Sequence, residues 1–100
     1  MKFTELNPMM TGPSGIPGIE DAMSLEFKCP LCGNRIAIHV RLNGQADMTK
    51  FIWRLEIPNG STSWDDVTVT PSISGHHLKR TKDGDIRCPM HVSVTKGQVT

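Results

Sequence analysis

The sequence predicts a small, mainly β domain of zinc-ribbon type. Three observations carry that prediction. From Ser24 onward, apolar and polar residues alternate at the two-residue period of half-buried strands. No stretch shows the 3.6-residue period of a long amphipathic helix. Two Cys-Pro segments, KCPLCGNR and RCPMHVSV, stand fifty-five residues apart, counted between Cys32 and Cys88. With 100 residues and five aromatics (Phe3, Phe27, Phe51, Trp53 and Trp64) the chain has one domain's length and a core of mostly Ile, Leu and Val. Such a domain buries roughly 60–70% of its unfolded surface, so a metal staple would matter to it.

Taken in order, residues 1–22 read as a flexible arm and residues 23–100 as a zinc-binding β domain. In NPMMTGPSGIPGIEDA, Pro8, Pro13 and Pro17 alternate with Gly12, Gly15 and Gly18. Missing donors and glycine entropy exclude a helix or an internal strand there and predict a mobile or loosely docked arm. RIAIHVRL places Ile36, Ile38, Val40 and Leu42 on one strand face, and the turn residues NGQAD end it. KFIWRLEI then sends Phe51, Trp53, Leu55 and Ile57 to one side, which makes Phe51, Trp53 and Leu55 expected core residues and Trp64 the more exposed tryptophan. In DDVTVTPSIS, Val67 and Val69 keep the period, and Pro71 confines the strand to an edge or an end. Ile86, Val92, Val94 and Val99 complete about six short strands.

Cys29-Pro30-Leu31-Cys32-Gly33 has the make-up of a zinc knuckle. Two thiolates flank a tight turn, proline fixes its entry, and Gly33 stands where the backbone needs positive φ. The segments before and after it read as the two arms of a hairpin. Cys88-Pro89-Met90-His91 repeats the plan with imidazole in the second place. Together the two half-sites predict a Cys₃His zinc site made of Cys29, Cys32, Cys88 and His91, a common tetrahedral set. Three cysteines cannot pair completely, and the C-x-x-C has no βαβ pattern beside it to make it a redox motif. His76 and His77, in SGHHLKR, compete for the fourth ligand place. His39 shares the polar side of its strand with Arg35 and Arg41, either as an exposed face or as part of a phosphate-binding surface.

Four protein ligands would leave zinc no open position for water, so the predicted site is structural and the chain is expected not to be an enzyme. The His-x-Glu of zinc deaminases is missing, as is the helix of a His-Asn-His nuclease. No serine, cysteine or threonine has an evident activating base in the sequence. Charge is uneven, acidic over residues 1–27 and basic over residues 75–100. Arg35, Arg41, Lys79, Arg80 and Lys82 are the candidate nucleic-acid contacts, although no aromatic-rich basic groove accompanies them. With no signal peptide and no membrane-length apolar run, the expected location is cytoplasmic, away from membranes.

The strings FKCPLCG, FIWRLEIPNGS, VTVTPSIS and RCPMHVSVTKGQV, from Phe27 to Val99, resemble a small uncharacterised zinc-knuckle family of phages, prophages and bacterial accessory gene clusters. The resemblance implies Cys29, Cys32, Cys88 and His91 as ligands and gives Trp53 and Pro71-Ser72-Ile73 structural places. It also implies a phage or mobile-element origin and hence a host cytoplasm. The functional expectation is a zinc-stabilised binding module acting on a host protein or nucleic acid, with protein slightly favoured. The alternative is a small metal-dependent nuclease or hydrolase using His76 or His77.

Overall fold

The computed structural model describes residues 1–58 and 63–100, and for residues 75–81, 85 and 86 it describes the backbone alone. The fold is mainly β. Seven strands, β1 (Met9–Pro13), β2 (Ala22–Lys28), β3 (Arg35–Leu42), β4 (Ile52–Glu56), β5 (Thr68–Thr81), β6 (Gly84–Thr95) and β7 (Gln98–Val99), form one sheet in sequence order. Neighbours are antiparallel except β3 and β4, which run parallel in the register His39↔Ile52 to Leu42↔Leu55. Period-two burial explains the strands directly. Leu25 and Phe27 of β2, Ile38 and Val40 of β3, and Cys88, Met90, Val92 and Val94 of β6 all enter the core. Each large apolar side chain so buried contributes about 1.5–3 kcal/mol.

The arm is docked rather than loose. Its Pro- and Gly-rich stretch forms only an edge strand, β1, as the missing donors require. Its ends are nevertheless fastened. Phe3 N–H donates to Gly97 O at 2.8 Å and Val99 N–H donates to Met1 O at 2.8 Å, so residues 1–3 lie along β7 while β1 lies along β2. One segment thereby links the two edges of the sheet. The 3₁₀ turn Phe3–Leu6 between them drives Phe3 and Leu6 into the core, where Phe3 meets Phe27 edge-to-face at 5.4 Å and Trp64 at 5.9 Å. Farther along, Ile19 and Ala22 cover Ile52 in a second small cluster. Composition holds no hint of these anchors because Phe3 and Ile19 stand alone, without a periodic pattern.

Three strand details depart from the period. Phe51, expected inside, has φ 55°, precedes β4 and is 67% exposed, while Ile52 is fully buried. Leu55 is buried as its alternation requires. Trp53 and Trp64 are both half-buried, and the Trp53 indole N–H donates to Ser72 O at 3.3 Å. Pro71 does not end its strand. β5 continues through it, but pairing with β4 stops at Thr70 and the register against β6 shifts between Val69 and Ile73, so the missing N–H falls at an irregularity. Beside β7, Gly97 has φ +76° and donates to Val67 O at 2.8 Å; an added Cβ would collide with Asp65 O.

Candidate active site and metal cluster

The β2–β3 hairpin ends in the knuckle that its sequence announces. Cys29 N–H donates to Asn34 O at 2.8 Å, and Gly33 N–H donates to Cys29 O at 2.9 Å with Gly33 at φ +80°. Leu31 N–H and Cys32 N–H both point at Cys29 Sγ, at 3.4 and 3.5 Å. From across the core, β6 delivers Cys88, whose Sγ lies 3.8 Å from Cys29 Sγ, and all three sulfurs fall within 4.8 Å of one another. A tetrahedral zinc with bonds of about 2.3 Å separates its sulfurs by about 3.8 Å. Cys29, Cys32 and Cys88 are therefore close enough to hold one metal ion. Burial pushes the Cys88 thiol up, opposed by the Met90 backbone N–H and reinforced by its two thiol neighbours.

His91 does not join them. Cys88-Pro89-Met90-His91 lies within β6 as extended strand, so the second knuckle expected there is absent. Side chains alternate along a strand, and three positions is an odd number. Cys88, Met90, Val92 and Val94 point inward, whereas His91 is exposed on the other face. There its Nε2 meets Ser72 Oγ of β5 at 2.9 Å. His91 pairs with Ser74 in the β5–β6 ladder, and Ser72 stands just before the Ile73–Val92 pair, where the register shifts. His91, but not Ser72, also lines a shallow, mostly apolar groove with Pro30, Leu31, Pro89, Met90 and Val92.

The other predicted site residues scatter. The backbones of His76 and His77 oppose Cys88 and Arg87 on β6, but their side chains, like those of Lys79 and Arg80, lie outside the described residues. Arg35 bonds Asn7 O at 3.1 Å and lies 3.6 Å from Glu26, and Arg41 pairs with Asp21 at 3.2 Å, so both guanidinium groups have intramolecular partners. Lys82 is exposed at the β5–β6 turn. His39 is half-buried, with Nδ1 2.9 Å from Ser14 Oγ, in place of an open phosphate-facing position.

Serine is the residue type that sequence reasoning misses. No hydroxyl has an evident activating base in the sequence, yet the fold brings two serines to imidazoles, Ser72 Oγ 2.9 Å from His91 Nε2 and Ser14 Oγ 2.9 Å from His39 Nδ1. Neither pair is close in sequence, and Pro71-Ser72-Ile73 reads as an ordinary strand segment. The one signal that brings Ser72 and His91 together is the pairing of β5 with β6, two adjacent strands with a short turn.

Fold and contacts together define a small β protein with a serine–histidine pair on the outer face of one hairpin and a thiol cluster on the inner face. The chain belongs to the BubE family, described as the bacterial ubiquitination-like system serine protease, whose family model matches residues 5–100. No curated protein and no solved structure matches it. The family is thus a bacterial one, and its description names neither a phage origin nor the zinc knuckle that the motifs resemble. Its description as a serine protease overturns the binding-module reading and the expectation of a non-enzyme. It gives no support to a nuclease or hydrolase built on His76 or His77. No helix among the described residues is long and apolar enough to cross a membrane.

Proposed function

We propose that this chain is a serine protease acting within a bacterial ubiquitination-like system, with Ser72 as nucleophile and His91 as general base. The observation that carries the assignment is the 2.9 Å contact between His91 Nε2 and Ser72 Oγ beside an apolar groove. Neutral His91 accepts the Ser72 proton as Oγ attacks the carbonyl carbon of the scissile bond. The resulting imidazolium then protonates the leaving group, and a water activated by the same imidazole hydrolyses the acyl-enzyme. Strand geometry supports the role, since both residues lie within strands rather than on loops, His91 paired with Ser74 and Ser72 next to the Ile73–Val92 pair. Ser14–His39 is another hydroxyl–imidazole pair among the described residues, but His39 is half-buried and does not line the groove as His91 does.

The metal has a separate part in this reading. Zn²⁺ is the ion suited to three thiolates at tetrahedral spacing, and it takes a structural role in holding the β2–β3 turn against β6. His91 is left for chemistry. Purified protein incubated with a ubiquitin-like protein joined through its C-terminus to a fluorophore tests the assignment. Wild type is expected to release the fluorophore, and Ser72→Ala and His91→Ala to lose that release while remaining folded. Equal release by all three would refute it.

A further inference from the structure

The apolar groove has a definite relation to the reacting pair. His91 belongs to its lining, and the remaining lining residues Pro30, Leu31, Pro89, Met90 and Val92 are uncharged. Leu31 projects from the knuckle tip, 62% exposed, at the rim of the groove. The walls are firm on both sides. Pro30 and Leu31 lie between two sulfurs of the thiol cluster, and Pro89 and Met90 follow the third, on a paired strand. A preformed apolar recess beside a general base has the character of a side-chain subsite.

We propose that this groove is the specificity subsite of the protease and takes an uncharged apolar side chain adjacent to the scissile bond. The inference rests on the Ser72–His91 reading. An extended substrate whose carbonyl meets Ser72 Oγ passes His91, and its neighbouring side chain enters the groove with Leu31 as the outer wall and Met90 as the floor. A lysine or aspartate there would lose hydration without gaining a partner, because no carboxylate, lysine or arginine among the described residues lines the recess. Apolar pockets discriminate by about 10–200-fold for a single methylene, so leucine should exceed alanine by at least about tenfold.

The test uses fluorescein-labelled peptides of glycine, serine and threonine with one central leucine, alanine, lysine or aspartate. Two readouts run in parallel: cleavage by wild type and equilibrium binding to Ser72→Ala by fluorescence anisotropy. The expected order is leucine, then alanine, then the charged residues, in both kcat/KM and affinity. Leu31→Glu, at an exposed position, should raise KM for the leucine peptide by about tenfold or more, leave kcat within about twofold, and shift preference toward lysine. Cleavage at Ser72 with no preference among the four peptides would overturn the subsite and leave the chemistry standing. Selective binding of the leucine peptide to Ser72→Ala without cleavage by wild type would support the groove and refute the catalytic pair. An unaltered preference in Leu31→Glu, with its fold verified by circular dichroism, would also overturn the proposal.

Discussion

Two segments of this chain share the frame Cys-Pro-x-Cys/His and fold differently. Cys29-Pro30-Leu31-Cys32 closes a turn with its sulfurs on one side. Cys88-Pro89-Met90-His91 stays in strand conformation within β6, across a register shift against β5, with its end residues on opposite faces. The difference comes from the next residues along the chain. Gly33 supplies φ +80°, which lets the chain reverse, whereas Val92-Ser93-Val94 continues the period of a strand half-buried against β5. A ligand motif is therefore decided by its neighbours as much as by its ligands. Parity turns His91 away from the thiols and toward Ser72, and a residue that spacing assigns to a metal becomes available as a base.

The largest expected effect separates those roles. His91→Ala should lower kcat by about 10²–10⁴-fold, the range contributed by a positioned general base, with zinc stoichiometry by native mass spectrometry unchanged. Loss of zinc in that variant would make the two segments equivalent after all and break the comparison. Cys88→Ser should do the reverse to the metal. Zinc at a hundredfold excess over its Kd stabilises a fold by about 2.7 kcal/mol, so wild type should lose thermal stability on chelation while Cys88→Ser should not respond. Identical responses to chelator would remove the thiol cluster from the account.

Smaller effects sharpen the backbone side of the comparison. Gly33→Ala forces a Cβ into left-handed backbone and should cost about 1–2 kcal/mol in urea unfolding. His91→Val, in extended and exposed backbone, should change stability by no more than about 0.5 kcal/mol. Similar costs for both would mean that the two segments share one conformation. The β3–β4 connection supplies a turn closed without sulfur. There the Thr49 hydroxyl, aided by the Thr49 N–H at 3.2 Å, holds the Asp47 carboxyl below its usual range. A depressed folded-state pKa gives stability that is present above the unfolded carboxylate value of about 3.9 and lost as pH falls through the folded one. Asp47→Asn should therefore show a slightly shallower loss of stability on acidification below about pH 4, and an unchanged slope would exclude this contribution.

Local chemistry made half of the site readable in the sequence. β3 occupies Arg35–Leu42, the residues its alternation picks out, and the knuckle follows from Cys29, Cys32 and Gly33 alone. What stayed hidden depends on tertiary placement. Phe51 and Ile52 exchange their expected positions because the arm brings Ile19 and Ala22 over the far side of β4. Ser72 carries no motif, and its partner comes from a neighbouring strand. Cys88 meets Cys29 only because the sheet folds β6 over the β2–β3 turn, so spacing along the chain names the thiols without saying which fourth residue accompanies them.

The central claim, that Ser72 is a nucleophile activated by His91, is tested most directly by covalent labelling with a fluorophosphonate and peptide mapping of the product. The expected result is a single phosphonylated residue, Ser72, in wild type, with labelling slowed by about two orders of magnitude or more in folded His91→Ala. Labelling of Ser14 instead, or of Ser72 at the same rate with and without His91, would contradict the account.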